Sequence, residues 1–150
     1  MKNVNIVCTT KPGDGLLHYS YEHCCFLNDL GVNAKLIIVR DHRFSEQSYI
    51  NALNKSYVKF ENVVFDFYTP TSNDITLIMG RSQLTLAYLN KHTYNNDQLL
   101  TLHLLFSGNL ISVYSENHVR EYPIALQYFK PKKVIDLCDH DVYVNGVGEQ

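Results

Sequence analysis

The chain has 150 residues, 45% hydrophobic and 19% charged, with a formal net charge of -2. That length suits one domain whose core needs no disulfide or metal staple, and the composition is that of an ordinary globular protein. Without a basic excess the chain is not a generally adhesive nucleic-acid binder, although a local basic groove stays open.

The first segment, "MKNVNIVCTT", is too short and too interrupted by asparagine for the apolar region of a signal peptide. Within it "NVNIVCT" (3–9) places Val4, Ile6 and Cys8 at period two, with Val7 beside them, and predicts a buried strand. "TKPGDG" (10–15) follows as a glycine-proline loop. From Leu16 to Leu30, Leu17, Tyr21, Cys24 and Leu27 keep helical spacing, and Gly31 stands where a C-cap glycine belongs. The continuous apolar run "AKLIIV" (34–39) predicts a strand covered on both faces. Together these make a strand, glycine loop, helix and strand unit, a crossover that is right-handed almost without exception.

The alternation then continues. A helix is expected over 45–57, a strand over 62–67 and a strand over 74–79. Ser82 is placed to cap a helix in "QLTLAYLNKH". "LLTLHLLF" (99–106) and "LISVY" (110–114) are predicted strands, and the former is too short to span a bilayer. A helical run from Ser115 towards Phe129 must kink or restart at Pro123. "KVIDLC" (133–138) is the last predicted strand, and "VYVNGVGEQ" (142–150) reads as a linker at a domain edge. The predicted fold is therefore α/β, a Rossmann-like, doubly wound, mainly parallel sheet with helices on both faces.

In such sheets ligands gather beyond the carboxyl ends of the strands. That rule selects the Lys11–Gly15 loop, Arg40 to Arg43, Gly80-Arg81, Ser107 to Asn109 and Asp139 to Asp141. The loop suits an anion or a sugar at a helix N-terminus, yet it is neither GxGxxG nor a P-loop, and a tight turn that needs glycine for its geometry explains it equally. "RDHR" (40–43) reads either as a ribose-contacting or as a solvated loop. His103 in a core strand reads as a locally satisfied ring or, near the strand's carboxyl end, as a group pointing into the cleft. "CDHD" (138–141) offers two carboxylates without a second His or Cys cluster, so no metal site is assigned. Cys8, Cys24, Cys25 and Cys138 show no CxxC spacing and read as buried, reduced thiols of a cytoplasmic protein.

Several segments in order resemble the N-terminal domain of retaining glycosyltransferases of the two-Rossmann-domain (GT-B) type, in the family 4 style. In "VNIVCTTKPGDGLLHYSYEHCCFLNDLGVNAKLIIV" the matching positions are Gly13, Gly15, Glu22, Leu27 and Gly31. "DITLIMGR" is similar to the mid-domain strand of that family, "LLTLH" to its strand ending in a histidine, "LISVYSENHVREY" to its strand leading into a Ser-Glu helix start, and "VYVNGVG" to its Asn-Gly-Val turn. Lys11-Pro12 in the first loop and Gly148 in place of an Asp depart from the pattern.

The resemblance implies an acceptor-binding half, inactive alone, with a separately encoded C-terminal domain holding a nucleotide sugar of the UDP-sugar type. No tightly bound cofactor and no membrane partner are expected. By the same resemblance Gly13, Asp14 and Gly15 approach the donor's sugar and diphosphate, His103 lines the cleft as the catalytic-side residue, and Lys11, Arg40, Arg43 and Arg81 suit an anionic acceptor. In its asparagine and tyrosine content the chain is similar to phage proteins. T-even phages glycosylate hydroxymethylcytosine, so DNA is one expected acceptor, in the host cytoplasm, beside a saccharide or lipid-linked one. A non-catalytic α/β binding module, or a fragment of a larger enzyme, is the alternative.

Overall fold

The computed structural model describes residues 3–53, 62–71, 73–79, 93–107, 110–114 and 134–137. In chain order these form β1 (Asn3–Cys8), α1 (Gly15–Asp29), β2 (Asn33–Ile38), α2 (Glu46–Leu53), β3 (Val63–Phe65), β4 (Ile75–Met79), α3 (Asn96–Phe106), β5 (Leu110–Tyr114) and β6 (Val134–Leu137). The strands make one sheet in the order β3-β2-β1-β4-β5-β6. Every pairing among them is parallel, so the fold is α/β with a parallel sheet.

Strand alternation sorts the core into two clusters. Ile6, Cys8, Leu36 and Ile38 pack with Leu17, Tyr21 and Cys24 of α1 and with Tyr49 and Leu53 of α2. Val7, Ile37 and Ile78, one residue out of phase, pack with Leu102, Leu105 and Phe106 of α3. β1 and β2 are thus apolar on both sides, which explains their continuous hydrophobic runs. Cys8, Cys24 and Cys25 are free thiols, the first two buried. Burial pushes Cys8 up, and it pushes Cys24 up to about 11, so both stay protonated. No helix of the described residues is long and apolar enough to cross a membrane.

The predicted elements of the first forty residues stand where expected, and α1 ends at a Leu30 C-cap followed by Gly31 at φ +85°. That left-handed conformation is one that glycine adopts without a Cβ penalty.

One expectation is corrected. Residues 99–106 are not a strand but most of helix α3, with Ser107 as its C-cap, and Gly108 and Asn109 lie outside the described residues. Asn95 caps that helix by accepting from the Gln98 N–H at 2.9 Å, and Gln98 reaches back to the Asn95 N–H at 2.9 Å. This capping box satisfies two otherwise orphaned donors. The buried positions Gln98, Thr101, Leu102, Leu105 and Phe106 follow helical spacing, while Leu100 and Leu104 face solvent. The expected helices after Ser82 and Ser115, Arg81, "CDHD" and the 142–150 tail lie outside the described residues.

Candidate functional site

From β1 the chain moves to β2 and β3 on one side, and from β4 to β5 and β6 on the other. Ligands of open α/β sheets sit beyond the carboxyl ends of the strands at such a reversal. Thr9 and Thr10 leave β1 at this point, and both are buried. Backbone carbonyls buried there need donors. Tyr94, which precedes α3 on one face, donates its hydroxyl to the Thr9 carbonyl at 3.0 Å. Tyr49 of α2, on the other face, donates to the Thr10 carbonyl at 3.1 Å. The Tyr49 oxygen also accepts from the Asp41 N–H at 3.2 Å, which joins the exits of β1 and β2.

Burial pushes both phenols up, Tyr49 to about 12, so they remain donors across the physiological range. Removing either hydroxyl takes a donor away from a buried carbonyl. Tyr49→Phe and Tyr94→Phe are each expected to lose about 1–3 kcal/mol of stability, measured by urea unfolding.

The loop beyond is closed by the Asp14 N–H on the Lys11 carbonyl at 3.1 Å. The Asp14 carboxylate caps α1, accepting from the Leu16 N–H at 3.0 Å. Lys11, Gly13, Asp14 and Gly15 are all exposed. Neither Gly13 nor Gly15 has a positive φ, and a Cβ built on either meets no atom of the described residues within 4 Å. Among the described residues neither backbone conformation nor packing demands glycine in this loop, so they give no support to its explanation as a turn that requires glycine. Gly15 is the first residue of α1. Gly15→Ala should stabilise the fold by about 0.4–1 kcal/mol through the unfolded state, a rise in thermal midpoint that calorimetry would read.

The basic residues after β2 have internal partners. Arg40 forms an ion pair with Asp66 at 2.8 Å, donates Nε to the same carboxylate at 2.9 Å, and donates Nη1 to the Phe44 carbonyl at 2.7 Å. Asp66 also accepts from the Arg40 backbone N–H at 2.9 Å and from Gln98 Nε2 at 2.8 Å. It holds φ +68°, a left-handed conformation uncommon outside glycine. Arg43 grips the buried Asp41 with Nη2 at 2.6 Å and Nε at 3.0 Å. Arg43 donation to Asp41 holds that carboxyl below its usual range, against the opposing effect of burial.

His103 is half-buried in α3, five residues beyond Gln98. Gln98 touches the exit of β2 through the Arg40 carbonyl at 2.9 Å. At 1.5 Å per residue His103 lies about 7–8 Å further along the helix, towards the amino end of β5 and away from the loop. The carboxyl edge thus brings together Lys11, Gly13, Asp14 and Gly15 with Arg40 and Arg43, and leaves His103 out. Tyr49, Tyr94, Asp66 and Gln98 belong to the same region and were not among the expected residues. Of these only Gln98 carried a local signal, the Asn95-x-x-Gln98 capping pattern.

No three His, Cys, Asp or Glu side chains among the described residues gather as a metal ion would require. No protein-family model, curated protein or solved structure matches the chain.

Proposed function

We propose that the domain is Rossmann-like and doubly wound, and that it is the acceptor-side half of a two-domain glycosyltransferase whose donor half is a separate chain. The observation that carries this is the loop between β1 and α1. Two glycines that neither their backbone conformation nor any described neighbour requires stand exposed where the strand order reverses. A bare backbone at such a place admits close approach of a ligand.

The same loop favours a hydroxyl-rich ligand over a phosphate. The α1 N-terminus already holds the Asp14 carboxylate, which repels an anion and accepts from a hydroxyl. Arg40 and Arg43 have carboxylate partners, so an acceptor saccharide fits better than the phosphates of DNA. The position of His103 supports a second reading, in which this half binds and orients the acceptor while the reacting groups belong to the partner.

The test is an NMR titration of the uniformly 15N-labelled chain with maltose, UDP-glucose and a short DNA duplex. Saturable shifts of the Gly13 and Gly15 amides with the sugar, lost in a Gly13→Val variant that still folds, are the expected result. Glycine amides that respond to none of the three would overturn the proposal.

A further inference from the structure

We propose that Asp41 is the hydroxyl-accepting group of the acceptor site and that Arg43 is its removable cover, displaced by a pair of neighbouring sugar hydroxyls. The choice of a saccharide as ligand rests on the proposed function. Asp41 follows β2 at the carboxyl edge of the sheet, with 5% of its side chain exposed. A carboxylate so far from water needs donors on its oxygens. Among the described residues every hydrogen bond it receives comes from Arg43: the backbone N–H at 3.0 Å, Nε at 3.0 and 3.2 Å, and Nη2 at 2.6 Å. The Arg43 side chain is itself 62% exposed.

Asp66, the other buried carboxylate of this edge, is held differently. Its partner Gln98 is buried, and its partner Arg40 is also tied to the Phe44 carbonyl. Arg43 has no second hydrogen bond among the described residues to keep it in place. An exposed arginine gives up side-chain freedom to hold one geometry and regains water when it leaves, so such a pair opens readily. The buried carboxylate does not gain by opening unless new donors arrive. Two adjacent hydroxyls supply them, each donating one O–H to a carboxylate oxygen while the Arg43 backbone N–H stays bonded. An anionic group is repelled by the same charge.

Position joins this carboxylate to the glycine loop. The Asp41 N–H donates to Tyr49 Oη at 3.2 Å, and that hydroxyl donates to the Thr10 carbonyl at 3.1 Å, directly before Lys11. The negative charge of Asp41 contributes to raising both Tyr49 and Tyr94, so the carboxylate stands near the two phenols that hold the exit of β1. A sugar approaching the bare backbone of Gly13 and Gly15 therefore has Asp41 on its β2 side and Asp14 on its α1 side. The ligand class that fits is a neutral polyol with two adjacent free hydroxyls.

The test follows the Arg43 Nε–H of the 15N-labelled chain during a maltose titration, its resonance assigned by its loss in Arg43→Ala. As maltose is added, the signal should leave the position of a carboxylate-bonded guanidinium for that of a solvated one, with the same midpoint as the Gly13 and Gly15 amides. Arg43→Ala, which removes the competing cover, should bind maltose about two- to fivefold more tightly. Asp41→Asn, equal in shape, should bind it at least about tenfold more weakly. An Arg43→Ala affinity equal to or below wild type, or an unchanged affinity in Asp41→Asn, overturns the inference. So does release of Arg43 by inorganic phosphate but not by maltose, because the guanidinium would then be the ligand's partner. Glycine amides that respond while Arg43 stays bonded sink this inference and leave the ligand role of the glycine loop standing. Arg43 release with silent glycine amides does the reverse, and silence at both removes both.

Discussion

Replacing Asp66 with alanine is expected to destabilise the protein by about 3–5 kcal/mol, a large part of the 5–15 kcal/mol that typically holds a domain together. The carboxylate receives the Arg40 backbone N–H, two nitrogens of the Arg40 guanidinium and Gln98 Nε2. Alanine leaves those donors facing a void at a position where Asp66 is only 4% exposed. The Arg40 side chain, 22% exposed, recovers part of its hydration, so the effect belongs at the lower end of that range. Backbone geometry supplies a control. At φ +68° a Cβ costs about 1–2 kcal/mol that glycine avoids. Asp66→Gly should therefore unfold at a higher urea concentration than Asp66→Ala, although glycine is ordinarily the worse choice. The opposite order would show that the loop relaxes away from its left-handed conformation.

The second large effect is expected at Asp74, at the opposite end of the sheet. Its carboxylate accepts from Asn5 Nδ2 at 2.7 Å, Asn3 Nδ2 at 3.2 Å and the Thr71 N–H at 3.1 Å, and also from the Thr71 hydroxyl. Asn5 is fully buried in the central strand, and its side-chain oxygen has no hydrogen-bond partner, so Asp74 is what satisfies its amide. Asp74→Ala should lose about 3 kcal/mol, the sum of one orphaned core amide and the unmade bonds around it. Burial alone would raise the Asp74 carboxyl, but the bonds from Thr71, Asn5 and Asn3 outweigh it and hold the group below its ordinary 3.8. A carboxyl depressed by folding stabilises the folded state above the unfolded value and loses that contribution as pH falls through the folded one. The stability difference between wild type and Asp74→Asn should accordingly be constant above about pH 5 and shrink below 3.8. Urea unfolding at a series of pH values would show it, and a difference independent of pH would assign the bonds to shape alone.

The first forty residues could be read because their signals are local and agree. An apolar strand, a glycine loop, a one-sided helix and a left-handed glycine each state the same structure. The segment 99–106 misled because Leu100 and Leu104, on its solvent side, complete an apolar run that looks like a buried strand. A mostly apolar run of eight residues does not distinguish the two periods, and the deciding sign lay outside the run, in Asn95 and Gln98. The partners of Arg40 and Arg43 differ in the same way. Asp41 is two residues from Arg43 and visible in "RDHR", whereas Asp66 and Gln98 stand 26 and 58 residues from Arg40. Nothing local announces those contacts, so Arg40 looked like a cation awaiting a ligand. The tyrosines that hold Thr9 and Thr10 are equally remote in sequence, and composition showed only that the chain has many of them.

The strand order also sets a timetable for synthesis. β1 pairs with β2 along one edge and with β4 along the other, Asn3 with Asn33 but Val4 with Ile75. The β1-α1-β2 unit is complete once Ile38 emerges, whereas the other edge of β1 waits until Met79 has been made. At ~5–20 residues per second that interval is roughly 2–8 s. Throughout it β1, whose Ile6, Val7 and Cys8 belong to the core, presents an unpaired row of backbone donors and acceptors, the usual template for unwanted strand pairing. Chains released early, between β2 and β4, are thus the species that chaperones must hold.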